Sequence, residues 1–175
     1  MQNKPFDEDK KLKYDPLGKS YLVEIMLDWL GTRLVRNNSK EDSADFTDGF
    51  WDGQFILDDG TVFLAEVEVK DDTKSKKEKN IAWWGEDLHP LRPFRYSTMD
   101  IPRRKDKNSA DIFVLANPEG TLAWACFRNV VLNAKVKIKP TIHEPNGGPY
   151  FTIPVNEGAF LCKVNGRWQG WKPKC

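Results

Sequence analysis

The chain has little of what several common chemistries require. Its only two histidines are His89 and His143, too few and too far apart for a histidine metal site or a Ser-His-Asp triad. Cysteine is nearly as scarce. Cys126, Cys162 and Cys175 are odd in number and lack metal-ligand spacing, so no cysteine metal site is expected. No apolar run approaches the roughly 18 residues of a membrane span, and the charged N-terminus is unlike a signal peptide. The expectations are no membrane, a cytoplasmic location and reduced thiols. Excess charge is also absent. Twenty-seven Lys and Arg against 26 Asp and Glu leave a net charge of +1. A nucleic-acid surface would therefore have to come from local clustering. There is no internal repeat and no low-complexity tract.

What is present is ordinary globular composition, 39% hydrophobic and 30% charged over 175 residues, enough for one domain with its own core. Seven tryptophans are many for this length; most are expected in packing. Residues 1–19 are rich in Lys and Asp, contain two prolines, and read as a flexible lead-in. Residues 20–175 read as a single domain. Ser20 is a good N-cap. Leu22, Ile25, Met26, Trp29 and Leu30 follow at one-face helical spacing, which predicts a helix over Ser20 to Arg36. Asn37 to Asp45 reads as a polar loop.

Two apolar runs flank Asp58, Asp59 and Gly60, a strong hairpin signal. Strands are predicted at about 51–57 and 61–70. The second is apolar on both faces at its start and then alternates. Val67 and Val69 point one way, and Glu66, Glu68 and Lys70 the other. Across the turn, Asp52 falls opposite Glu66, and Asp48 has the same parity. Either aspartate could join the glutamates, since a bulge would shift the register. Hard carboxylate oxygens completed by water and phosphate oxygens suit Mg²⁺. The same residues also suit an ordinary half-exposed strand face.

The pattern of Asp52, then Glu68, Val69 and Lys70, resembles the active-site signature of the PD-(D/E)XK nucleases, which include type II restriction enzymes and Holliday-junction resolvases. The resemblance spans roughly Ser20 to Leu115, and Trp51 stands where the family name has proline. It implies a metal-dependent DNA endonuclease acting on duplex or branched DNA with Mg²⁺ or Mn²⁺. Asp52 and Glu68 would hold the metal, and Lys70 would orient water or touch phosphate. Glu24 on the preceding helix, Asp48 and Glu66 are the additional candidate ligands. A homodimer is implied in the same way. The alternative from another class is a non-catalytic nucleic-acid-binding or assembly module.

After Lys70, four lysines fall within six residues, Lys74, Lys76, Lys77 and Lys79. The first three are candidate phosphate contacts, as are Arg103, Arg104 and Lys105 in the most basic part of the chain. Ile81 to Leu88 reads as the short helix that the resemblance implies after the motif strand. Later strands are predicted near 97–101, 110–116, 121–127, 150–155 and 160–164, with Val130 to Ile138 continuing the sheet or lying at its edge. The expected fold is α+β: a restriction-endonuclease-like mixed sheet with an N-terminal helix, a core over about 20–127, and a C-terminal β extension over about 128–175.

Overall fold

The computed structural model describes residues 8–38, 51–70, 84–85, 92–102, 110–140 and 145–172. The main helix, α1, spans Glu8–Leu30. Its expected apolar face is the buried one: Leu22, Ile25 and Met26 are at most 1% exposed. The helix begins at Glu8 rather than Ser20, so part of the expected lead-in is ordered structure. Pro16 lies inside it and forfeits one backbone hydrogen bond. Packing offsets that loss: a Cβ on Gly18 would stand 3.2 Å from Val69 Cγ2 and 3.3 Å from Val67 Cγ1. The missing side chain lets this turn lie directly on the later strand. The helix ends at Leu30 instead of Arg36 because Gly31 takes φ +69, the left-handed stop that glycine adopts most readily. Gly31 N donates to Leu27 O at 2.8 Å, and buried Thr32 donates through both N and Oγ1 to Met26 O.

Ten strands follow. β1 is Arg33–Asn37, β2 Gly53–Ile56, β3 Val62–Val69, β4 Thr98–Pro102 and β5 Ile112–Ala116. β6 is Leu122–Phe127, β7 Lys135–Lys139, β8 Gly148–Pro154, β9 Ala159–Val164 and β10 Arg167–Gly170. Seven form one sheet in the order β1-β2-β3-β5-β6-β9-β10, and three form a second, β4-β8-β7. Only the β3–β5 pair among these strands is parallel, so the large sheet is mixed. The β2–β3 hairpin turns where expected. Gly60 has φ +88, and Asp59 Oδ1 accepts from Thr61 N at 2.8 Å.

α1 touches both edge strands, β1 and β10, as well as central β3. Laid flat, seven strands would separate those edges by about 29 Å, while a helix with its side chains is about 10–12 Å across. The large sheet therefore curls around the helix. Its other face carries the second sheet. This layering explains why every residue of β5 is buried. Ile112, Val114 and Ala116 face α1, and Phe113 and Leu115 face the three-stranded sheet. On β6, small Ala123 and Ala125 lie on the helix side, and Trp124 and Cys126 on the other. Trp124 Nε1 donates to Val155 O at 2.8 Å, and burial pushes the Cys126 thiol up to about 12.

Four further expectations change. The 130–138 segment divides into a short helix, α2 (Arg128–Asn133), and β7. The C-terminal strands do not make one added layer: β7 and β8 enter the second sheet, while β9 and β10 extend the first. At Trp84, within the expected post-motif helix, the chain instead bridges to Phe94, their rings packing edge to face at 5.2 Å, and Gly85 N donates to Pro93 O; residues 81–83 and 86–88 lie outside the described residues. Cys126 is free, but Cys162 is disulfide-bonded, which corrects the expectation of three reduced thiols. Among the described residues no helix is long and apolar enough to cross a membrane.

Candidate active site

The face that β3 presents is decided by α1. Gly18 receives Val67 and Val69, so the helix covers the odd-numbered positions. Glu66, Glu68 and Lys70 must then project from the opposite face. The β2–β3 register pairs Gly53 with Ala65 and Gln54 with Leu64; one step further, Asp52 stands opposite Glu66. Asp52 lies just where β2 stops pairing. Its N–H donates to Ala65 O at 2.8 Å, and its Oδ2 accepts the Val67 N–H at 2.8 Å. The carboxylate thus continues the ladder that the backbone has left, within one residue of both Glu66 and Glu68.

The end of β1 holds this corner in place. Asn38 N donates to Asp52 O at 3.0 Å, and Asn38 Nδ2 to Trp51 O at 2.8 Å. Trp51 is buried with the Arg36 guanidinium 5.0 Å from its ring centre, a cation–π contact. Trp51 is therefore an anchor for its neighbour Asp52. A second aspartate acts similarly on the other side of β3: Asp111 Oδ2 accepts from Leu64 N at 2.8 Å.

Lys70 and Glu68 form an ion pair at 2.6 Å, with side chains 26% and 52% exposed. Glu24 is not brought to this group. It accepts from Lys163 Nζ at 2.6 Å and from Trp168 Nε1 at 3.2 Å, which fastens α1 to β9 and β10. Asp28, one helical turn on, accepts from Trp168 N at 2.8 Å. Asp48, Lys74, Lys76, Lys77, Arg103, Arg104 and Lys105 lie outside the described residues.

Between the two sheets is a pocket of about 20 Å³ whose lining includes Glu66, Glu68, Asp100, Phe113 and Trp124, roomy enough for about one water-sized occupant. Asp100 was not a sequence candidate. Its only signal was a lone acid between Met99 and Ile101 in a predicted strand. Lys139 Nζ bonds to Asp100 Oδ2, and Thr152 Oγ1 donates to its Oδ1 at 3.0 Å. Among the described residues no three His, Cys, Asp or Glu side chains converge on one metal-holding point. The donor chemistry nevertheless suits Mg²⁺, which uses one or two carboxylates and takes the rest of its octahedron from water and phosphate.

No family model, curated protein or solved structure matches the chain.

Proposed function

We propose that the chain is a Mg²⁺- or Mn²⁺-dependent endodeoxyribonuclease built on a restriction-endonuclease-like core, acting on duplex or branched DNA in the cytoplasm. The observation that carries the reading is the Asp52 carboxylate bonded to Val67 N at 2.8 Å, opposite Glu66 and beside Glu68 and Lys70 on the strand face turned away from α1. Asp52 and Glu68 would hold the metal, with Glu66 next to them. When bound, such an ion polarises the phosphate and lowers the pKa of a coordinated water. The chain's own residues do the rest. The Lys70 ammonium, now on Glu68 Oε1 at 2.6 Å, orients the attacking water or binds a phosphate oxygen. Asn38 and Trp51 hold Asp52 at the ladder's end. Function as a homodimer would supply one such site per DNA strand.

A second reading, a nucleic-acid-binding or assembly module without catalysis, is favoured by one observation: Asp111 caps Leu64 N just as Asp52 caps Val67 N. Both aspartates would then be purely structural. Cleavage of labelled duplex and junction DNA with Mg²⁺, with Mn²⁺ and with chelator separates the two. Metal-dependent nicking lost in Glu68→Gln supports the nuclease; inactivity on all substrates leaves the binding module.

A further inference from the structure

We infer that the outer face of the three-stranded sheet binds single-stranded nucleic acid along β7. This rests on the nucleic-acid reading above and locates where the strand lies. Register sets Lys135 opposite Thr152, Lys137 opposite Tyr150 and Lys139 opposite Gly148. On the other side of β8, Asp100 pairs with Thr152 and Pro102 with Tyr150. Directly paired residues share a face. Phe151 and Ile153 are buried in the core between the sheets, so Tyr150 and the three lysines belong to the outer face.

β7 is an edge strand, and Lys135 and Lys137 are exposed with no ion pair among the described residues. Alternate residues on a strand repeat every 6.6 Å or so, roughly twice the rise per residue, so the lysines form a row of point charges. Only Lys139 is neutralised, by Asp100. Among the described residues, three lysines against one aspartate leave this face positive although the whole chain is nearly neutral. Tyr150 is half-buried beside Lys137, where its ring offers a stacking surface to an unpaired base. A second copy added to this edge in antiparallel pairing would face lysine against lysine, which is unfavourable.

The test is fluorescence anisotropy in EDTA, so that binding is read without cleavage. The probes are a single-stranded oligodeoxynucleotide, its matched duplex and polyglutamate. The wild type is expected to prefer the single strand. Lys135→Ala with Lys137→Ala should weaken that binding and reduce the slope of log K against log salt by about 1.4, at roughly 0.7 per phosphate contact. Tyr150→Leu should weaken single-strand binding by about tenfold and leave the duplex unchanged. An unchanged affinity and salt slope in the double variant overturns the inference. So does tighter binding of duplex or polyglutamate, or self-association of the variant with binding intact, which would make the lysines guards against edge pairing. Both lysines are exposed, so the variant should melt like wild type. Wild-type cleavage with unaltered variant binding would sink this face and leave the nuclease standing. Binding lost in the variant, with no cleavage by wild type, would do the reverse.

Discussion

Asp52 has an observed role as hydrogen-bond acceptor and a proposed one as metal ligand, and a pair of substitutions can separate them. Its Oδ2 accepts the Val67 N–H at 2.8 Å in a half-buried corner. Asp52→Asn keeps an acceptor oxygen but loses the charge. A charge-assisted bond contributes about 1.5–3 kcal/mol and a neutral one about 0.5–1.5, so the asparagine variant should lose about 1 kcal/mol. Asp52→Ala leaves the Val67 amide without its acceptor, an additional penalty of about 1–3 kcal/mol. In a domain of this length each kcal/mol moves Tm by about 2–4 °C. The expected ordering is a small fall for asparagine and a clearly larger one for alanine. Cleavage should fall about 100-fold or more in both, the scale seen when one electrostatic partner of a transition state is removed. Thermal melts paired with a nicking assay give both readouts. An asparagine variant that cuts at the wild-type rate refutes the catalytic role. One that melts as low as the alanine variant refutes the hydrogen-bond account.

Glu68→Gln and Lys70→Ala should each abolish cleavage while changing stability by about 0.5 kcal/mol or less, because their ion pair is largely solvated; a normal melt with intact cleavage would return both residues to the ordinary surface. Glu24→Ala should do the opposite, lowering Tm through loss of the Lys163 and Trp168 contacts while cleavage by the folded protein persists. Burial holds the Cys126 thiol at about 12 against an ordinary 9.0. The unfolded chain therefore loses this proton first, and the associated stability is full below about pH 9 and declines as pH rises toward 12. Denaturant melts of wild type and Cys126→Ala across that window should show a steeper alkaline decline in the wild type; parallel declines would contradict it.

Local patterns already determined the hairpin at Asp58–Gly60, the alternation that puts Glu66, Glu68 and Lys70 on one face, and the helical stripe from Leu22 to Leu30. Each depends on residues a few positions apart, where backbone geometry alone relates them. The start of α1 was hidden because Pro16 argues against helix locally, while the compensating contact is with Val67 and Val69, far along the chain. Its end was misplaced because one glycine stop outweighed apolar residues that continue into β1. Glu24 looked like a possible ligand until folding brought Lys163 and Trp168 beside it. Asp100 gave no signal because its meaning lies in a pocket shared by two sheets. The division of the late strands between those sheets was equally invisible, since alternation marks a strand but does not name its neighbour. Which strands pair, and which face a helix covers, is settled by the packing of remote segments, and short-range periodicity carries no record of it.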